Sequence, residues 1–70
     1  MTLGQAFQRN FKQRFAVIEN KTAWCDLHDL SKTSVYEWIH GKSQPTLSAL
    51  YKASRALGCT MEDLIEGAEL

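Results

Sequence analysis

The sequence predicts an all-α fold built from five short helices. Apolar residues recur at the three- and four-residue spacing of an α-helix rather than alternating as in a half-buried strand. A serine, threonine or asparagine precedes each apolar stretch, in the place of a helix N-cap. Gly41, Gly58 and Gly67 follow three of the stretches, where helices commonly end. These three observations define the five predicted helices.

Length and composition predict a single domain over residues 1–70 with a small core. The apolar content of 44% suits a compact helical core and is too high for a disordered chain. Two cysteines are fewer than a small secreted disulfide scaffold uses. The sequence shows no leader-like segment and no apolar run of membrane-spanning length. We therefore expect a cytoplasmic protein with no membrane association.

The net charge is zero, but the charges are unevenly distributed. Residues 60–70 carry four acidic residues and no basic residue, whereas residues 1–59 carry eight basic and four acidic residues. The acidic end therefore conceals a basic body, although terminal acids can also serve only to solubilise the last helix.

The first helix is expected to begin at Thr2, which has capping-box spacing with Gln5. Its apolar stripe runs through Leu3, Phe7, Phe11, Phe15 and Ile18. An aromatic stripe of this kind is typical of a core or of a dimer interface.

The central stretch, from Lys21 to His40, predicts two short helices joined by a tight turn. Trp24, Leu27 and His28 share one face of the first helix of this pair, and Val35, Trp38 and Ile39 share one face of the second. Asn20 and Ser31 are the expected N-caps.

The turn itself is Asp29-Leu30-Ser31. Aspartate can adopt the left-handed conformation that a sharp turn needs, and Leu30 can fill the inside of the turn. Thr33, Glu37 and His40 point away from the apolar face of the following helix. A short amphipathic helix that presents small polar and charged groups outward suits the DNA major groove.

The last two helices follow a polar loop over residues 41–45. Thr46 is the expected cap of the fourth helix, whose inward row is Leu47, Leu50, Ser54 and Leu57, with Ala53 beside it. Thr60 and Asp63 have capping-box spacing at the start of the fifth helix, whose buried side is expected to be Met61, Leu64 and Ile65.

From about Asn20 to Gly67 the sequence resembles the Cro/C1-type (XRE-like) helix-turn-helix repressor domain of phages and bacteria. The resemblance lies in four positions of the twenty-residue motif that starts at Lys21. The fifth residue is small, the tenth and fifteenth are aliphatic and the eighteenth is bulky, and these residues are Cys25, Leu30, Val35 and Trp38. After the motif come Gly41-Lys42, Pro45, the leucine-rich fourth helix, Leu57-Gly58 and Leu64-Ile65 before Gly67. The sequence departs from the family at the ninth motif position, usually glycine and here Asp29, and at the first, often glutamine and here Lys21.

The resemblance implies a compact five-helix domain with a central helix-turn-helix that binds double-stranded DNA and regulates transcription. It implies a repressor that binds a palindromic operator as a homodimer through a recognition helix over residues 32–40, and that associates with the nucleoid when bound. The expected base contacts are Lys32, Thr33, Ser34 and Glu37. The expected phosphate contacts are Asn20, Lys21, Thr22, Ser31, Tyr36, Lys42 and Ser43. The dimer interface is expected in the fifth helix (Met61, Leu64, Leu70) or in the phenylalanine stripe, and the sequence does not decide between them.

Three other readings are weighed against DNA binding. Cys25, His28, His40 and Cys59 are too scattered for a structural zinc site, so we expect no metal and no cofactor. We do not expect an enzyme or a small-molecule substrate. The sequence shows no nucleophile paired with a general base and no glycine-rich phosphate-binding loop. The remaining alternative is a protein-interaction module on the same fold, such as an antirepressor or an antitoxin-like subunit. The neutral net charge favours this alternative somewhat.

Overall fold

In the computed structural model, which describes residues 1–69, the chain forms five α-helices: α1 (Leu3–Ala16), α2 (Lys21–Leu27), α3 (Lys32–Ile39), α4 (Leu47–Leu57) and α5 (Met61–Leu64). The same residues contain no strand, and the all-α prediction is confirmed. None of these helices combines the length and the hydropathy needed to cross a lipid bilayer. α1 packs against α3 and α5, and α4 packs against α5.

The N-caps hold each helix start as predicted. The side-chain oxygen of each cap accepts a hydrogen bond from the backbone N–H three residues later, and the caps are Thr2, Asn20, Ser31, Thr46 and Thr60. Thr2 with Gln5, and Thr60 with Asp63, form complete capping boxes. Local side-chain chemistry therefore sets where the helices begin.

The core is an aromatic stack from α1 closed by one tryptophan from α3. The rings of Phe7, Phe11 and Phe15 follow one another with centroids 5.4 Å apart. Trp38 meets Phe11 and Phe7 edge to face at 5.5 and 5.7 Å. Edge-to-face pairs at this spacing are favourable beyond the apolar area they bury. The core therefore fixes α3 directly on α1.

Three leucines expected on the apolar faces are instead exposed. Leu3 is 44% exposed, Leu27 79% and Leu47 76%. Each occupies the first or last position of its helix, beyond the edge of the small core, so its position on the apolar face does not bring it against another element. In α2 the buried residue is Cys25. In α4 the fully buried residues are Ala53 and Ser54, while Leu50 and Leu57 are half-buried against the core.

Both expected dimer interfaces use residues that the chain buries within itself. Phe7, Phe11 and Phe15 are at most 3% exposed, so the phenylalanine stripe is core. Leu64 is fully buried, Met61 is half-buried, and Leu70 lies outside the described residues. The prediction of a dimer interface in the phenylalanine stripe is therefore wrong, and Leu64 is not available to an interface in the fifth helix.

The carboxyl end of α5 is held by two side chains of α1. The guanidinium of Arg9 donates to the carbonyl of Glu66 at 2.7 Å. The amide of Asn10 donates to the carbonyls of Leu64 and Glu66 at 3.2 and 2.9 Å. The last carbonyls of a helix have no partner within it, so these bonds supply one for Leu64 and for the turn that follows α5.

Asp63 makes part of the stability dependent on pH. The pKa of its carboxyl is lowered, mainly because the backbone N–H of Thr60 donates to it at 2.9 Å, with the Thr60 hydroxyl acting in the same direction. A carboxyl whose pKa is lower in the folded state contributes stability above its unfolded pKa and loses it as the pH falls through the folded pKa. Asp63→Asn is therefore expected to lower the free energy of unfolding at about pH 7 and to lower it less at about pH 3. Urea unfolding at both pH values measures the difference, with Glu62→Gln as the exposed control. An equal deficit at both pH values would contradict this origin.

Candidate nucleic-acid interface

The turn between α2 and α3 closes as a left-handed helix cap. Asp29 has φ 55°, the region that favours glycine but that aspartate also tolerates. The N–H of Leu30 donates to the carbonyl of Cys25 at 2.9 Å, and the N–H of Asp29 donates to that of Asp26 at 3.3 Å. These two bonds form a Schellman motif. Leu30 is 8% exposed inside the turn, as predicted.

α3 has one buried side and one solvent-facing side. Val35 is fully buried and Trp38 is 4% exposed, so this side is fixed against α1. Lys32, Thr33 and Tyr36 are exposed on the other side. The helix therefore presents a polar face on a rigid support.

Six side chains line one open hollow along that polar face, and we call them the recognition surface: Lys32, Thr33, Tyr36, Glu37, His40 and Lys42. The structure thus brings together three of the four expected base contacts and two of the expected phosphate contacts. His40 belongs to the same surface. The sequence predicts that it points outward but does not predict a contact with DNA. Helical spacing from Thr33 and Glu37 was the available signal for it.

Glu37 is held at the far end of this surface by Ser43. The Ser43 hydroxyl donates to Oε1 of Glu37 at 3.3 Å. Within residues 1–69 the ion pairs are Met1 with Glu69 and Lys52 with Asp29, so the carboxylate of Glu37 has a hydroxyl partner and no cation within salt-bridge distance. In this structure Ser43 donates to an acidic side chain, and its contact with a phosphate stays a prediction.

Ser31 and Ser34 lie in a different hollow, between the start of α3 and the start of α4. Thr46, Ser48 and Lys52 line the other side of it. The Ser31 hydroxyl caps α3 by accepting from the N–H of Ser34 at 3.3 Å. Ser34 therefore lies on the flank of α3 that faces this second hollow, and its base contact stays a prediction.

The comparison with protein families decides what kind of domain this is. A family model described as the Cro/C1-type HTH DNA-binding domain matches residues 19–67, which is more than half of the chain. The chain belongs to this family. No curated protein and no solved structure matches it. The match covers α2 to α5 and the whole recognition surface, whereas α1 precedes it.

At the start of α2, this Cro/C1-type domain uses two of its expected phosphate contacts for internal bonds. The ammonium of Lys21 donates to the carbonyl of Ile18 at 2.9 Å and lies 5.5 Å from the centre of the Phe15 ring. Asn20 caps the helix by accepting from the N–H of Ala23 at 3.0 Å. Thr22 is exposed. Phosphate contact by these residues stays a prediction, and the ammonium of Lys21 has three N–H donors, so it can bind a phosphate in addition to its carbonyl partner.

Tyr36 of the Cro/C1-type domain packs on α1 and is also exposed on the recognition surface. Its ring meets Phe15 edge to face at 6.5 Å, which supports the flank of the motif. The residue is nevertheless 48% exposed on the recognition surface. Packing of the ring therefore leaves the side chain accessible to a ligand.

The two cysteines of the Cro/C1-type domain are free thiols in apolar surroundings. Burial raises the pKa of Cys25, and the nearby Asp26 raises it further. Burial also raises the pKa of Cys59. A raised pKa disfavours the thiolate that a metal ligand or a nucleophile requires. Residues 1–69 contain no group of three or more histidine, cysteine or acidic side chains placed to hold a metal ion.

Proposed function

We propose that this domain is a sequence-specific transcriptional regulator that reads double-stranded DNA through α3, with a repressor as the preferred role. The observation that carries the proposal is the recognition surface, a continuous polar strip on a helix whose other side is fixed in the core. A major groove accepts one α-helix and offers hydrogen-bonding base edges to side chains of these types. The basic body of residues 1–59 favours the approach to a polyanion.

Five of the six residues of the recognition surface have a chemical role in the proposal. Lys32 donates to guanine N7 and O6, and the methyl group of Thr33 contacts a thymine methyl group. Glu37 accepts a hydrogen bond from the amino group of cytosine. This bond would offset the repulsion between its carboxylate and the nearby phosphates. Tyr36 on α3 and Lys42 just past its end contact phosphates. Asn20, Lys21, Thr22, Ser31 and Ser43 are further candidates for phosphate contacts, and Ser34 is a further candidate for a base contact.

A homodimer on a palindromic operator completes the proposal. One helix of eight residues reaches only a few base pairs, so a symmetric pair of domains would read two half-sites about 34 Å apart. Selection of binding sites from random duplexes tests both parts together. An enriched palindrome is the expected result. A single enriched half-site would contradict the homodimer, and no enrichment would contradict sequence-specific DNA binding.

Lys42→Ala and Thr33→Ala separate positioning from readout. Lys42→Ala is expected to weaken all duplexes about equally and to reduce the slope of log affinity against log salt by about one, because one phosphate contact is lost. Thr33→Ala is expected to relax the preference at one base pair by about 0.8 kcal/mol or less, because one methyl contact is weakened, and to leave the slope unchanged. Titrations of the selected site and single-base variants at several salt concentrations measure both effects. If neither substitution changed the affinity for the selected site, this docking of α3 would be wrong.

A protein-interaction module is the second candidate function. The zero net charge and the acidic Glu37 on the recognition surface favour it, because both oppose binding to a polyanion. A salt titration of the purified domain with its ligand distinguishes the two. DNA binding weakens steeply with salt because counterions are released, whereas a mainly apolar protein contact does not.

A further inference from the structure

The carboxyl end of α3 is completed by a side chain of α1. Three of the last four carbonyls of α3 accept from backbone N–H groups that follow them, at 2.9 to 3.2 Å: those of Tyr36, Glu37 and Trp38. The carbonyl of Ile39, the last of the four, accepts from the side-chain amide of Gln8 at 3.1 Å. Gln8 thus supplies the partner that the backbone turn does not.

The same amide lies against the backbone of Gly41. A Cβ at Gly41 would be 3.1 Å from both Nε2 and Oε1 of Gln8, closer than most side chains approach. Gly41 also has φ 70°, which lets the chain leave α3 in a left-handed turn. The residues that follow this turn are Lys42 of the recognition surface and Ser43, the hydrogen-bond partner of Glu37. The position of Gln8 therefore constrains where that end of the surface lies.

We infer that Gln8 is a positioning residue for DNA readout. It fixes the end of α3 and the turn at Gly41, and through them the Lys42 ammonium and the Ser43 hydroxyl that orients Glu37. The inference rests on the proposed function and assigns part of the specificity to α1, which precedes the residues matched by the family. Gln8 does not touch the recognition surface near Lys32 and Thr33, so its influence is confined to the other end.

Gln8→Met tests the inference, because methionine has a similar length and cannot donate to the Ile39 carbonyl. In selection from random duplexes, the preference at the base pair read by Glu37 is expected to fall about tenfold, while the preferences read by Lys32 and Thr33 are retained. The salt slope is expected to fall by about one as the Lys42 contact is lost. Gln13→Met, an exposed glutamine on the same helix, is the matched control and is expected to change neither quantity.

A measurement on the free protein makes the inference independent of DNA. In amide NMR spectra, Gln8→Met is expected to shift and broaden the signals of Gly41 and Lys42 and to leave those of Lys32 and Thr33 in place. If Gln8→Met does not fold, Gln8→Glu is measured in the same way, because an ionised carboxylate keeps the shape of the side chain without its donor.

The outcomes separate the two proposals. A wild-type domain that selects no sequence overturns the proposed function, and with it the role of Gln8 in readout. A wild-type domain that selects a site, with a variant that selects the same site at the same salt slope, overturns the inference alone. Uniform weakening of all duplexes, with unchanged Gly41 and Lys42 signals, would reduce Gln8 to a general stabilising residue and would also overturn it.

Discussion

Replacing Trp38 by alanine is expected to remove most of the stability of the domain. Trp38 is 4% exposed and packs edge to face on Phe11 and Phe7, so the substitution removes the two closest aromatic contacts between α3 and α1. Truncating a buried tryptophan costs about 3–5 kcal/mol, whereas a domain of this size has a total stability near the low end of about 5–15 kcal/mol. The expected shift in Tm exceeds about 15 °C. Circular dichroism during heating and in urea measures it.

Tyr51→Ala is the matched control for this loss. Tyr51 is also aromatic and helical, but it is 55% exposed on α4, so its truncation is expected to change the stability by no more than about 0.5 kcal/mol. If Trp38→Ala melted at the wild-type temperature, Trp38 would not be the residue that fixes α3. DNA binding by Trp38→Ala is expected to fall with the folded fraction and without a change in base preference.

The helix starts and the central turn could be predicted because they depend on neighbouring residues. Thr2, Ser31 and Thr60 bond to backbone groups three residues away, and this geometry is written in the local sequence. Asp29 likewise adopts φ 55° to close a turn of neighbouring residues. Such features need no knowledge of the rest of the fold.

The limits of the core could not be predicted in the same way. Helical spacing assigns Leu27 and Leu47 to an apolar face, but it does not say where along the helix a neighbouring element stops covering that face. Both residues lie at helix ends and are more than three-quarters exposed. In a core as small as this one, the end of each helix projects past its neighbours.

The candidate site also has some features that depend on neighbouring residues and others that depend on how separate segments meet. The outward direction of Thr33, Glu37 and His40 follows from their spacing in one helix. The bonds of Lys21 to Ile18, of Ser43 to Glu37 and of Gln8 to Ile39 depend on how separate segments meet. Residue type alone cannot distinguish a lysine or serine that is free to bind phosphate from one with a partner in its own chain.

Reversing the charge of Lys32 is expected to separate DNA binding from stability. Lys32 is exposed at the first position of α3, directly after the Ser31 cap. A glutamate there faces the positive end of the helix dipole and is expected to stabilise the fold by about 0.3–1 kcal/mol. On DNA the same glutamate loses a guanine contact of about 1–3 kcal/mol and adds repulsion from phosphates of about 1 kcal/mol per close pair. Lys32→Glu should therefore weaken binding to the selected site about 100-fold while the Tm stays level or rises.

Lys12→Glu distinguishes a local contact from a general effect of charge. It makes the same change in net charge at an exposed position of α1 that is not part of the recognition surface. Its effect on affinity is expected to be only a few-fold and to disappear at higher salt, because charges separated by more than about 10 Å are screened. Equal losses from both substitutions would mean that the domain senses only overall charge. A loss of affinity confined to Lys12→Glu would place the DNA on another face of the domain. If α3 lies in the major groove, an acidic residue at its first position must weaken binding more than an acidic residue on α1.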